Sequence, residues 1–165
     1  MATYNGEKYI EKQLDSIRTQ TRIVDEVIIC DDRSTDGTAS MIQQYIQKYK
    51  LSNWSIFINE QNKGFIGNFF GALKKVTGDV IFLSDQDDEW YKDKVEKMTN
   101  LIRQNKNIQA LNSAVCLIDG EGREKEVIAK KGYCNANILH KAVKENELIL
   151  SLIHISEPTR QEAIS

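Results

Sequence analysis

The sequence predicts an α/β domain built on a largely parallel sheet. Short apolar runs bounded by turn residues alternate with stretches whose apolar residues recur at helical spacing, the pattern of strands joined by right-handed helical crossovers. One of these runs, Val80-Ile81-Phe82-Leu83, is apolar throughout, as befits a strand covered on both faces. It stops abruptly at Ser84-Asp85-Gln86-Asp87-Asp88, beyond the carboxyl end of the strand, where such sheets gather their ligands.

Taken in order, Met1-Ala2-Thr3-Tyr4-Asn5-Gly6 reads as the end of a strand running into a turn. Ile10, Leu14 and Ile17 share one helical face, which predicts a helix over 7–20. Residues 26–30 form a strand ending at Asp31-Asp32, and Ser34-Thr35-Asp36-Gly37-Thr38 supplies cap and turn chemistry for a helix buried through Met41, Ile42, Tyr45, Ile46 and Tyr49. A strand over 54–58 is followed by a loop over 59–67, a helix around 69–76 and, after Gly78, the strand over 80–83. Val95, Met98, Leu101 and Ile102 mark a helix beyond the acidic cluster, and 110–118 reads as a strand closing at Asp119-Gly120.

Composition narrows the function classes. With 165 residues, 41% of them hydrophobic, the chain fits one domain able to bury roughly 70% of its unfolded surface. Lys plus Arg number 22 against 24 for Asp plus Glu, a net charge of -2, which does not indicate a nucleic-acid partner. The three cysteines, Cys30, Cys116 and Cys134, lack metal or redox spacing and read as reduced thiols in a cytoplasmic protein. No apolar run reaches the roughly 18 residues of a membrane span.

Both ends are expected to be cut. The strand that should precede Met1 is not there, and residues 150–160, LSLIHISEPTR, resemble the in-frame translation of a sequencing adapter. The expected division is therefore a partial domain over 1–149 and a non-native tail over 150–165, which removes Pro158 and His154 from any functional argument.

Asp31 and Asp32 end one predicted strand and Asp85, Asp87 and Asp88 follow another, so a parallel sheet brings both clusters to one edge. Each has an ordinary reading: turn and cap chemistry for the pair, and a solvated loop favouring the next helix for the triplet. A helix dipole contributes about 0.3–1 kcal/mol per charge, too little to account for three crowded carboxylates. Such a cluster suits a hard cation, Mg²⁺, Mn²⁺ or Ca²⁺. Trp54 and Trp90 read as packing residues, with Trp90 close in sequence to the cluster. His140 and Lys130-Lys131 are left outside the site.

Three ordered motifs carry a family likeness. Met1 to Gly6, Cys30-Asp31-Asp32-Arg33-Ser34-Thr35-Asp36 and Ser84-Asp85-Gln86-Asp87-Asp88-Glu89-Trp90 closely resemble the inverting family 2 glycosyltransferases, over Met1 to about Gly122. The resemblance implies a GT-A fold, Rossmann-like, binding a nucleoside-diphosphate sugar through Mn²⁺ or Mg²⁺. By that resemblance Ala2 and Tyr4 line the nucleobase pocket, Asp32 accepts a hydrogen bond from the base and Asp31 supports the turn. Asp87 is the direct metal ligand and Asp85 contacts sugar, ribose, metal or metal-bound water, with Asp88 behind them. Asn62, Lys63, Gly64 and Asn68 match the loop before the donor site, where Lys63 either meets phosphate or is solvated. The motif form is most like bacterial enzymes of surface-polysaccharide synthesis, rhamnosyltransferase-like ones included. These take a glycan or lipid-linked acceptor and often associate peripherally with the inner face of the membrane. The family's general base lies downstream in the acceptor half, so donor recognition without catalysis is the expectation for this chain.

Two other classes share part of the pattern. A phospho-acceptor receiver module would use Asp85 as acceptor, but no Lys ends a later strand and Gln86-Asp87-Asp88 crowds the site. A haloacid dehalogenase-type phosphatase would use Asp85 as nucleophile and Asp87 as acid/base, but its motif stands near the N-terminus and Glu89 departs from it. A calcium loop fails because Trp90 stands where glycine is required.

Overall fold

The computed structural model describes residues 1–105, 108, 110–111, 113, 115–118, 124–128 and 133–134. It divides into two units, Met1–Lys97 and Met98–Ser165. The expected tail over 150–165, His140 and Lys130-Lys131 lie outside the described residues.

The first unit contains β1 (Ala2–Thr3), α1 (Ile10–Arg18), β2 (Val27–Asp31), α2 (Thr38–Tyr49), β3 (Trp54–Ile58) and α3 (Gly64–Leu73). The three strands form a parallel sheet in the order β1-β2-β3, with Thr3 paired to Asp31 and Asp31 to Ile58. β2 is central, and four of its five residues are buried. The core gathers Ile10, Leu14 and Ile17 of α1, Val27 and Ile29 of β2, Ile42 and Tyr45 of α2 and Trp54 of β3. Burying a side chain such as Ile10 or Leu14 contributes about 1.5–3 kcal/mol. α3 packs against β1 and β2 and buries Asn68, Phe69 and Ala72. Trp90 belongs to the core, 5.8 Å from the Phe82 ring, in keeping with a packing role.

α4 (Lys94–Gln104) crosses the division between the units. In the second unit β4 (Ala110–Leu111) pairs antiparallel with β7 (Tyr133–Cys134), and β5 (Val115–Ile118) antiparallel with β6 (Glu124–Ile128). The parallel sheet is thus a property of the first unit, and the strand expected over 110–118 is split in two.

Two further expectations are corrected. The apolar run at 80–83 does not form a strand, and Val80 and Ile81 are exposed. β1 is only two residues long, so it offers little edge to extend a ladder; its bond to the run's end is Ala2 N–H to Ser84 O, 3.2 Å. α3 begins at Gly64, earlier than its apolar periodicity indicates, because its first N–H groups find side-chain acceptors: Lys63 N–H donates to Asp32 Oδ1 and Gly64 N–H to Asn62 Oδ1. Gly64 has φ +71°, a left-handed conformation that explains the glycine, and a Cβ there would meet nothing within 4 Å.

Candidate functional site

The site is built around the carboxyl end of β1. The chain leaves β1 at Tyr4, and the next residues interlock with the loop that follows β2 through bonds in both directions. Asn5 N–H donates to Ser34 Oγ, Gly6 N–H to Thr38 Oγ1 and Glu7 N–H to Asp36 Oδ2. In return Thr35 N–H donates to Asn5 Oδ1 and Gly37 N–H to Glu7 Oε2. Asn5 and Arg33 adopt positive φ, 50° and 64°, which lets each loop turn back on the other.

Asp31 is wholly buried. Its Oδ2 accepts the hydroxyls of Thr3 and Ser34 at 2.8 and 2.6 Å, and its Oδ1 accepts Ser34 N–H at 2.8 Å. It therefore supports the turn and has no surface to offer a ligand. Asp32 lies beside it, its N–H donated to Thr3 O. Its Oδ1 accepts Asn59 Nδ2 and Lys63 N–H, both at 2.8 Å, which leaves Oδ2 as the oxygen outside these bonds. Behind Asp32, the buried Asn68 accepts from Asn59 Nδ2 and donates to Thr3 O and Cys30 O, tying the ends of β1 and β2 to α3.

On the other side of β1, the acidic segment is held at Ser84 and Gln86. Buried Gln13 of α1 donates to Ser84 Oγ. Gln86 accepts Tyr4 N–H at 2.7 Å, donates to Tyr4 O at 2.9 Å, and gives its own backbone N–H to Asp85 Oδ1 at 2.9 Å. Both acidic groups thus flank the end of β1, Asp32 following β2 as expected and the acidic segment following no strand. Asp87 is exposed and Asp85 and Asp88 are partly buried. Burial pushes the Asp88 carboxyl up to about 7; Lys94 opposes this, and Asp85 and Asp87 reinforce it by repulsion. Among the described residues, no three His, Cys, Asp or Glu side chains converge into a closed metal site.

Of the other predicted site residues, Ala2 is buried within β1, while Tyr4, Lys63 and Gly64 are exposed. Gln86, Gln13 and Asn59 were not singled out by sequence reasoning, since their partners stand 82, 71 and 27 positions away and no local pattern marks them.

The sequence model described as glycosyl transferase family 2 matches residues 1–149. A dTDP-rhamnosyl transferase, RfbG of Shigella flexneri, is 39% identical over 117 residues, 68% of this chain and 40% of that protein. The Escherichia coli UDP-Glc:alpha-D-GlcNAc-diphosphoundecaprenol beta-1,3-glucosyltransferase WfgD is 31% identical over 105 residues, 64% of this chain and 40% of its own length. The chain therefore spans about two fifths of these relatives, 40% of each.

Among solved structures, S. aureus TarS in complex with UDP matches with a TM-score of 0.62 and 28% identity, covering 75% of this chain and 36% of that one. The mannosyltransferase PcManGT of Pyrobaculum calidifontis, in complex with GDP-Man and Mn²⁺, matches with a TM-score of 0.64 and 25% identity, covering 70% and 34%. These likenesses show a GT-A fold and displace the receiver and phosphatase readings. The strand-end carboxylates, the fold they stand on and the match over residues 1–149 together make this chain a member of glycosyl transferase family 2.

Proposed function

We propose that residues 1–97 form the donor site of a glycosyltransferase that moves a sugar from a nucleoside diphosphate to an acceptor hydroxyl in cell-surface polysaccharide synthesis. The observation that carries this reading is the placement of two unlike acidic groups on either side of one strand end. Asp32 is fixed from behind by Asn59 and Lys63 N–H, and Asp85 and Asp87 stand at the surface beyond Ser84. A nucleoside diphosphate has matching halves. In the proposed site Asp32 Oδ2 accepts from the base and exposed Tyr4 packs beside it, with Ala2 as the floor and Asp31 supporting the turn beneath. Lys63 and Gly64 face the phosphates, and Asp85 and Asp87 hold the metal.

An open pair of carboxylates, one of them exposed, fits a divalent ion that keeps several waters and completes its shell with substrate phosphate oxygens. Mn²⁺ or Mg²⁺ bound there would neutralise charge on the departing diphosphate. The chain's own residues orient the donor, and no general base is assigned to the described residues. The names of RfbG and WfgD support a dTDP- or UDP-sugar donor and a lipid-linked acceptor. We place the reaction on the cytoplasmic side, at the inner face of the membrane; among the described residues no helix is long and apolar enough to cross it.

The test is calorimetric titration of UDP and dTDP with and without Mn²⁺, after circular dichroism shows a folded chain. Tighter binding with Mn²⁺ is the expected result. Equal affinity in both conditions removes the metal-bridge assignment, and absence of binding in both removes the donor-site reading.

A further inference from the structure

We propose that Gln86 is a positioning residue that sets the acidic segment in register with the nucleoside end of the site. The inference rests on the donor-site reading above. The side-chain amide of Gln86 has the donor and acceptor of a peptide group, and it uses both on Tyr4, whose N–H and carbonyl it meets at 2.7 and 2.9 Å. It acts as the rung of a ladder that the main chain does not build, since residues 80–83 are not in a strand. Through its own backbone N–H the same residue fixes Asp85 Oδ1 at 2.9 Å. One residue thus joins Tyr4, at the proposed base-binding end, to the neighbouring carboxylates Asp85 and Asp87.

The opposite wall of this clasp is Gly6. A Cβ built there would overlap the Gln86 amide, lying 2.5 Å from its Cδ and 3.0 Å from its Cγ. All three nearest atoms belong to Gln86, so a side chain at position 6 acts on the acidic segment through Gln86. Ser84 is held separately, by Ala2 N–H and Gln13, and the backbone N–H at position 86 stays on Asp85, so loss of the Gln86 amide unties the acidic segment from Tyr4 while leaving the segment's start in place.

The two roles part in a titration of UDP and dTDP, each with and without Mn²⁺, on the full chain. In Gln86→Ala the affinity gained on adding Mn²⁺ should fall by about tenfold or more, the cost of losing a group that orients metal ligands, while metal-free affinity stays within about twofold. Gly6→Ala should reproduce this loss without altering a residue of the acidic motif, and should add nothing when introduced into Gln86→Ala. A full Mn²⁺ gain in Gln86→Ala overturns the inference, as does an equal loss with and without metal, which is the mark of a purely structural role. If Gln86→Ala does not fold, an unchanged gain in Gly6→Ala overturns it instead. A parent chain that gains nothing from Mn²⁺ overturns the metal reading and this inference together, whereas a gain kept by the variants overturns this inference alone.

Discussion

The Asp32 carboxylate accepts the backbone N–H of Lys63 at 2.8 Å, so a residue 31 positions upstream closes the start of α3. A carboxylate at this place satisfies an orphan donor and meets the positive end of the helix dipole. The turn after β2 and the helix beyond β3 therefore share one charge.

Asp32→Ala should destabilise the chain by about 1–2 kcal/mol, the usual cost of losing such a cap, and weaken nucleotide binding with or without metal. Asp32→Asn keeps an oxygen for Lys63 and Asn59 and should recover most of the stability, but not the affinity. Urea denaturation read beside calorimetry separates the two effects; equal instability in both variants would count against the cap.

Asp87 stands exposed at the surface. Asp87→Ala should change stability by no more than about 0.5 kcal/mol. The same substitution should remove the Mn²⁺ dependence of UDP binding. A thermal melt and a metal titration on one preparation check both halves, and a large drop in the melting temperature would show that Asp87 is part of the fold.

Asn68 bonds Thr3 O, Cys30 O and Asn59 Nδ2 from a buried position. Asn68→Ala strips these groups of their partner and should cost about 2–3 kcal/mol. Asn68→Asp should be worse, because a carboxylate would replace the donor that faces two carbonyl oxygens. Denaturation midpoints ranking Asp above Ala would sink this assignment.

Strand and helix order through residue 73 was legible because it rests on local periodicity and turn chemistry. The gathering of Asp32 and the acidic segment beside one strand end was legible only in part: Asp32 follows β2 as expected, whereas the segment is held beside β1 by the Gln86 amide and not by a strand of its own. The run at 80–83 misled because apolar character alone does not make a strand: pairing needs a neighbouring edge, and β1 offers two residues. The start of α3 was missed for a related reason: its initiating acceptor, Asp32, lies on another element. Gln13, Asn59 and Gln86 carry no local signature, and only the folded chain shows that their amides hold the site together.

The interlocked loops at 5–7 and 34–38 also bear on how a ligand would arrive. Their backbone donors are already engaged by side chains across the gap, so these loops are ordered when the chain folds rather than when a nucleotide enters. A site prepared in this way would give up little further freedom on binding, and encounter with a nucleotide would not be delayed by loop closure on that side. Affinity for the base would then be governed by how slowly the nucleotide leaves.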